Sequence, residues 1–160
     1  MEIHFHPVTH ENRGAVLALQ VLPEQQGYIE SVAQCLAEAR RARNWCPVGI
    51  YDGSSLIGFA MYGYFFQEDF PFGRLWMDRF LIDRHYQGRG YGRAALGGLL
   101  ERMAREYSDR DIYLSVIREN SAAVRLYRAY DFSFNGEKDV RGEDVMRRRG
   151  HRRTGFFRKI

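Results

Sequence analysis

The sequence has few cysteines, no long apolar run and no set of histidines with metal-ligand spacing. Its two cysteines, Cys35 and Cys46, lack the Cys-x-x-Cys spacing of zinc and redox motifs. We therefore expect two reduced thiols in a cytoplasmic protein. No apolar run reaches the ~20 residues that a membrane-spanning helix needs, and the first residues lack the basic and apolar regions of a signal peptide. The five histidines form no ligand set, so we expect no metal.

Charge is distributed unevenly along the 160 residues. The formal net charge is +4, but residues 147–160 hold seven Lys and Arg and no acidic residue, so residues 1–146 carry a formal charge of −3. We assign residues 1–146 to one domain and residues 147–160 to a basic tail that is either mobile or an artificial extension. A basic tail can bind nucleic acid, but without neighbouring base-stacking platforms we expect no such partner, and no membrane partner.

The hydrophobic pattern predicts eleven elements in the order β-α-α-β-β-β-α-β-α-β-β, which indicates a mixed α/β sheet flanked by helices. Pro47 is interpreted as the end of the second helix. The predicted ranges are a strand at 3–8, helices at 11–20 and 27–43, strands at 48–51, 56–64 and 75–82, a helix ending at 107, a strand at 112–117, a helix at 120–130, and a final hairpin of 132–138 and 143–149.

A glycine-rich segment, Gln87–Gly92, lies between a predicted strand and a predicted helix. Its glycines allow backbone N–H groups to converge, and a helix N-terminus adds partial positive charge, so the segment predicts a phosphate or pyrophosphate site. Arg89 and Arg93 can add charge-assisted hydrogen bonds. The spacing fits neither a Walker A loop nor a dinucleotide fingerprint. A tight connection without a ligand is the alternative.

Two sequence runs resemble the motifs of the GNAT N-acetyltransferase superfamily. The run Asp78–Gly92 resembles its acetyl-CoA signature, and Asn120–Phe132 resembles its second cofactor motif, although Asp131 replaces the usual glycine. Tyr28-Ile29-Glu30-Ser31 and Asp78-Arg79-Phe80 are similar to bacterial spermine/spermidine acetyltransferases. The resemblance implies a mostly antiparallel central sheet with flanking helices, and direct transfer of acetyl from acetyl-CoA to a small primary amine such as a polyamine.

The resemblance also implies roles for particular residues. Tyr127 would protonate the departing sulfur and also contact the cofactor, and Asn120 would contact the cofactor arm. Strand alternation, independently of the resemblance, puts Asp78 on the face of Trp76 and Phe80, opposite Met77 and Arg79, which makes it the candidate base or amine anchor. The backbone of Phe80, Leu81 and Ile82 would hold pantetheine and polarise the acetyl carbonyl. The pyrophosphate would be held by backbone N–H groups of the glycine-rich segment: Gln87, Gly88, Arg89, Gly90, Tyr91 and Gly92.

Each candidate has a structural alternative. Tyr127 could be a core tyrosine with a satisfied hydroxyl, and Asp78 could form a salt bridge with an arginine. Glu30 and Trp76 are candidates for binding the acceptor, through its distal ammonium and a cation–π contact, but such residues are often a surface charge and a core aromatic.

Other functions stay open at the level of sequence. The acceptor could be a peptide amine, a lysine or an aminoglycoside. Outside enzymes, the chain could be an acyl-CoA sensor or a nucleic-acid binder that uses its tail. Many members of the superfamily form dimers, so a homodimer is possible.

Overall fold

The computed structural model describes residues 1–151. It contains seven strands, four α-helices and one 3₁₀ turn at Pro23–Gln25. The strands are β1 (Ile3–Pro7), β2 (Trp45–Asp52), β3 (Ser55–Phe65), β4 (Arg74–Ile82), β5 (Ile112–Val116), β6 (Ser133–Lys138) and β7 (Asp144–Arg148). The helices are α1 (Arg13–Leu17), α2 (Val32–Arg41), α3 (Tyr91–Tyr107) and α4 (Ser121–Ala129).

The strands form one seven-stranded sheet in the order β1-β2-β3-β4-β5-β7-β6. The pairs β1–β2, β2–β3, β5–β7 and β6–β7 are antiparallel, and β4 pairs with β5 in parallel. The predicted mixed, mostly antiparallel sheet with flanking helices is therefore confirmed. The described part of the chain divides into two compact units, the first formed by residues 1–63 and 77–99, and the second by residues 64–76 and 100–151.

In the first unit, α2 buries one face against β3 and β4. Its start is fixed by a capping box, in which the Ser31 hydroxyl accepts from the Gln34 N–H and the Gln34 side chain accepts from the Ser31 N–H. The buried helix residues follow the i, i+3, i+4 spacing of an amphipathic helix. The cluster comprises Val16, Val32, Cys35, Leu36, Phe59, Met61 and Leu81.

In the second unit, β5 forms the centre of the packing. It pairs with β7 from Ile112 opposite Arg148 to Val116 opposite Asp144. Ile112, Leu114 and Val116 are all buried, and they lie on one face of the strand because every second side chain points to the same side. Helix α4 contributes the buried Tyr127, whose ring meets Phe132 edge-to-face at 5.9 Å between centroids.

The structure corrects the interpretation of Pro47. This residue does not end a helix but lies inside β2, where it pairs with Met61 of β3. The pairing of β2 with β1 ends at Val48, which lies opposite Pro7. Pro47 has no backbone N–H to donate, and it is tolerated here because it lies just beyond the last residue pair between these two strands. Helix α2 ends earlier, at Arg41, and the predicted start at residue 27 is also wrong because the Ser31 capping box sets it at Val32.

Two basic residues of the predicted tail belong to the sheet. Arg147 and Arg148 are part of β7, in agreement with the predicted hairpin. Arg147 forms an ion pair with Asp111 at 3.1 Å, and the Arg148 side chain donates to the Tyr130 carbonyl at 3.0 Å. The rest of the predicted tail, from residue 152, lies outside the described residues. Within residues 1–151, no helix is long and apolar enough to cross a membrane.

Candidate active site

The glycine-rich segment forms a turn between β4 and α3. Gly88 and Gly90 have φ values of +76° and +84°, a region that strongly favours glycine. Both glycines and Arg89 are exposed, so the backbone of the turn faces solvent. Helix α3 then begins at Tyr91, and the first N–H groups of a helix have no intrahelical acceptor. The turn and helix start together provide the backbone donors of an anion site.

A buried carboxylate holds the first half of this turn. Asp83 is 6% exposed, and it accepts hydrogen bonds from the Gln20 N–H at 2.9 Å and the His85 N–H at 3.0 Å. It also contacts His85 Nδ1 at 2.7 Å. Burial opposes the charged form, but these hydrogen bonds outweigh it and hold the pKa of Asp83 below its usual value.

A pair of amide side chains holds the middle of the turn. Gln87 Nε2 donates to Gln25 Oε1 at 2.9 Å, and Gln25 Nε2 donates back to Gln87 Oε1 at 3.1 Å. Gln87 Nε2 also donates to the Ile82 carbonyl at 2.9 Å. The side chain of Gln87 therefore points into the protein, and only its backbone is available to the predicted pyrophosphate site.

The helix side of the turn is fixed by Tyr91. Its hydroxyl donates to Asp52 Oδ2 at 2.6 Å, while Asp52 Oδ1 accepts from the Glu2 N–H at 2.7 Å. The shared hydrogen bond raises the pKa of Tyr91 and lowers the pKa of Asp52. The Arg89 guanidinium lies 5.9 Å from the Tyr86 ring centroid, and Arg93 is exposed on the first turn of α3. Arg89 and Arg93 are thus the two cationic side chains next in sequence to the backbone N–H donors of the turn.

The two acidic candidates, Asp78 of β4 and Glu30 before α2, both contact Arg79 of β4. Arg79 forms an ion pair with Glu30 at 2.7 Å and lies 3.5 Å from the carboxylate of Asp78. It also donates to the Asp78 backbone carbonyl at 2.6 Å. The side chains of Arg79, Glu30 and Asp78 are 11%, 14% and 25% exposed, so the cluster is largely enclosed. Two carboxylates and one guanidinium leave one net negative charge.

The buried thiol of Cys35 lies beside this cluster. Burial raises the pKa of Cys35 to about 11, against the opposing effect of the Arg79 charge. Glu30 precedes α2 and its Ser31 cap, not within the helix as predicted. Both cysteines are free thiols, Cys35 buried and Cys46 partly exposed.

The segment Phe80–Ile82 continues β4 to the turn. A Cβ atom on Gly58 would clash with the Leu81 carbonyl oxygen, so β3 approaches the backbone of β4 closely here. The parallel pairs between β4 and β5 join Leu75 to Ile112 and Trp76 to Tyr113, both before this segment. The predicted pantetheine contacts of Phe80, Leu81 and Ile82 stay a prediction.

Trp76 lies in the second unit among polar partners. Its indole N–H donates to Glu68, and its ring centroid is 5.5 Å from that of Tyr113. Arg74 holds neighbouring acids, with Asp69 at 2.6 Å and Glu137 in a bidentate pair at 2.6 and 2.9 Å. The two acids that follow β3, Glu68 and Asp69, are therefore bound by the side chains of Trp76 and Arg74 in the same unit.

Asn120 and Tyr127 also lie in the second unit, on α4. Asn120 is the N-cap, and its side-chain oxygen accepts from the Ala123 N–H at 3.4 Å. Tyr127 is 8% exposed. Asn120 thus has a structural role as a helix cap and Tyr127 is a buried residue, and a role of either toward the cofactor stays a prediction.

Within the first unit, the structure brings Glu30 and Asp78 onto Arg79, and it places Phe80–Ile82 directly before the glycine turn. Sequence analysis did not single out Arg79, Asp83 or Gln25. Charged residues inside the apolar run Leu75–Ile82 were a signal for Arg79, because a buried charge needs a partner. No local signal identifies Gln25, since its partner is 62 residues away.

The sequence profile of the acetyltransferase (GNAT) family matches residues 16–132. The chain belongs to this family. Spermine/spermidine N(1)-acetyltransferase of Bacillus subtilis (strain 168) is 46% identical over 148 residues, which cover 91% of this chain and 97% of that protein. This GNAT chain is therefore an N-acetyltransferase.

Solved structures support the GNAT fold. A spermidine N-acetyltransferase from Vibrio cholerae, solved with CoA and spermine, is 18% identical with a TM-score of 0.68, over 91% of this chain and 93% of that one. An aminoglycoside N(6′)-acetyltransferase from Legionella pneumophila is 15% identical with a TM-score of 0.73, over 92% of both chains. The fold is therefore shared by enzymes whose names give different acceptors.

Acetyl-CoA is the co-substrate of this GNAT enzyme, and the glycine turn fits it. A diphosphate needs clustered N–H donors and little side-chain obstruction, and Gly88 has no atom within 4 Å of where a Cβ would lie. In the described part of the chain, no group of three or more His, Cys, Asp or Glu could hold a metal.

Proposed function

We propose that this GNAT enzyme acetylates a primary amine of a polyamine such as spermine or spermidine. The carrying observation is the enclosed cluster that Asp78 and Arg79 of β4 form with Glu30, next to the Phe80–Ile82 segment. Its two carboxylates outnumber its one guanidinium, and this excess of negative charge suits a cationic acceptor. The 46% identity to a Bacillus subtilis protein named spermine/spermidine N(1)-acetyltransferase supports the same acceptor.

The acetyl group is transferred directly. Asp78 first takes one proton from the bound ammonium through a water molecule, and the resulting neutral amine nitrogen forms a bond to the thioester carbonyl carbon. The carbon–sulfur bond then breaks, and Tyr127 donates its hydroxyl proton to the departing thiolate. The nitrogen of the new amide releases its second proton to solvent, and proton exchange with solvent restores Tyr127. This route needs no covalent acyl-enzyme.

The chain holds the co-substrate through its backbone. The N–H groups of Gln87–Gly92 bind the diphosphate, and Arg89 and Arg93 add charge-assisted hydrogen bonds. The backbone of Phe80–Ile82 binds pantetheine and polarises the acetyl carbonyl. Asn120 contacts the cofactor arm while its side chain caps α4. The exposed, positive-φ glycines of the turn support the diphosphate assignment.

The acceptor's other charges have further binding groups in this proposal. Glu30 receives a distal ammonium, and the Trp76 ring adds a cation–π contact. The enzyme acts on a free small amine in the cytoplasm, without a nucleic-acid or membrane partner. It forms a homodimer, which sedimentation of the purified chain would test.

A turnover screen tests the acceptor. The full chain is supplied with acetyl-CoA and with spermine, spermidine, putrescine, a lysine peptide or an aminoglycoside. We expect kcat/KM for spermine or spermidine to exceed the others by about fivefold, since one additional ion pair contributes roughly 1 kcal/mol. Turnover of the peptide or the aminoglycoside alone would instead favour a different acceptor class.

A matched pair of variants tests the carboxylate. Asp78→Asn should lower kcat by about 10²-fold because the proton acceptor is lost. Asp144→Asn is the control, because Asp144 is ion-paired with Arg118 and Lys138 on the hairpin. Equal activity of the two variants would remove Asp78 from the mechanism.

A further inference from the structure

The chain between α1 and α2 contacts the glycine turn at two places. At the first, the Gln20 N–H donates to Asp83 at 2.9 Å, and the Arg84 N–H donates to the Gln20 carbonyl at 2.7 Å. At the second, Gln25 at the end of the 3₁₀ turn forms the reciprocal amide pair with Gln87. Residues more than 60 positions apart in sequence therefore fix one short loop.

The amide pair is embedded in further hydrogen bonds. Gln25 Oε1 accepts from the Leu22 N–H at 3.1 Å as well as from Gln87. Gln87 Nε2 donates to the Ile82 carbonyl as well as to Gln25. Both side chains are half-buried. Turning Gln87 outward to a ligand would break three hydrogen bonds, so its side chain acts on the loop and not on the ligand.

The exposed part of the turn has little packing of its own. Gly88, Arg89 and Gly90 are exposed, and the nearest atom to a Cβ on Gly90 would be Met1 Cε at 3.6 Å. Its conformation must therefore come from its anchors, which are Asp83 and Gln87 before it and Tyr91 after it. A turn held in its binding conformation costs less ordering entropy when the ligand binds.

We propose that Gln25 is a positioning residue for coenzyme A. It contacts no part of the ligand, but its amide holds Gln87 and thereby keeps the backbone N–H groups of the turn directed at the diphosphate. The proposal rests on the acetyl-CoA site described above, and it assigns part of that site's affinity to a residue on the α1–α2 connection.

Calorimetry with coenzyme A alone tests this role without any acceptor. In Gln25→Ala, the Kd for coenzyme A should rise roughly five- to thirtyfold, because three hydrogen bonds are lost, two of them with the Gln87 amide and one with the Leu22 N–H. Gln25→Glu should lie between wild type and Gln25→Ala, since its carboxylate still accepts from Leu22 and Gln87 but cannot donate. Gln26→Ala is the control, because Gln26 is the neighbouring residue, of the same type and exposed.

Steady-state kinetics separates positioning from general destabilisation. The KM for acetyl-CoA should rise in Gln25→Ala while kcat at saturation stays within about twofold. The effects of Gln25→Ala and Gln87→Ala should be non-additive in a double-mutant cycle. An unchanged Kd in folded Gln25→Ala, or an equal change in Gln26→Ala, would overturn the proposal. If wild-type protein does not bind coenzyme A, the cofactor assignment itself fails.

Discussion

Gly58→Ala is a sharp test of how β3 supports the cofactor strand. Gly58 pairs with Ile50 in the sheet, and a Cβ atom at this position would fall within 3.0 Å of the Leu81 carbonyl oxygen. It would also meet the Ile82 Cδ1 atom at 3.2 Å. A carbonyl oxygen belongs to the backbone and cannot rotate away, so β4 must move by about 1 Å to restore an ordinary contact.

The expected cost follows from this displacement. Overpacking a close-packed core costs about 1–3 kcal/mol, and a backbone clash belongs at the upper end. For a chain of this size, 1 kcal/mol lowers the Tm by about 2–4 °C, so Gly58→Ala should lower it by roughly 6–12 °C. Because Leu81 lies in the proposed pantetheine segment, a shift of about 1 Å should also reduce kcat/KM for acetyl-CoA by up to about 10²-fold.

Thermal unfolding and acetyl-CoA kinetics check both effects. Gly14→Ala is the matched control, because Gly14 lies on α1 with no atom within 4 Å of the new methyl group. This control should be as stable as wild type or about 0.5–1 kcal/mol more stable, through helix propensity. The reasoning is refuted if Gly58→Ala melts within about 2 °C of wild type and keeps its kcat/KM.

Three further predictions concern the site. Asp83 has a lowered pKa, so the stability that its charged form gives to the fold is present above about pH 4 and is lost as the pH falls through the pKa of Asp83 in the folded protein. Asp83→Asn should therefore make the Tm less dependent on pH in this acidic range. Tyr127→Phe should keep the Kd for acetyl-CoA and lower kcat by about 10²-fold, and unchanged turnover would exclude the acid role. Arg79→Met should cost about 3 kcal/mol in urea unfolding because the enclosed Glu30 carboxylate loses its ion pair with Arg79, whereas Arg79→Met combined with Glu30→Gln should cost less.

Local patterns predicted much of the fold. The apolar spacing along α3 gave its end at Tyr107, and the apolar run of β4 gave its end at Ile82. The predicted start of α2 is wrong because the apolar spacing extends further toward the N-terminus than the helix does. The helix start is set by the capping box of Ser31 with Gln34, three residues on. Pro47 was misassigned because a proline is allowed in a strand where the neighbouring ladder ends.

The site was predictable only where its parts are local in sequence. The glycine turn and its helix form one continuous segment, so its position was readable. Strand alternation placed Asp78 and Arg79 on opposite faces, yet the long arginine side chain returns to the Asp78 carbonyl and carboxylate. The pairing of Gln25 with Gln87 depends on the tertiary fold, which no local pattern encodes.

The different environments of the two thiols have a practical consequence for measuring the reaction. Cys35 is 1% exposed with a pKa of about 11, so only about one molecule in 10⁴ is a thiolate at pH 7, and thiol-specific dyes will not label it in the native enzyme. Cys46 is partly exposed and can react. A chromogenic thiol reagent would therefore count each coenzyme A released above a fixed background from Cys46. A rise in that background, with no acceptor added, would report unfolding around α2.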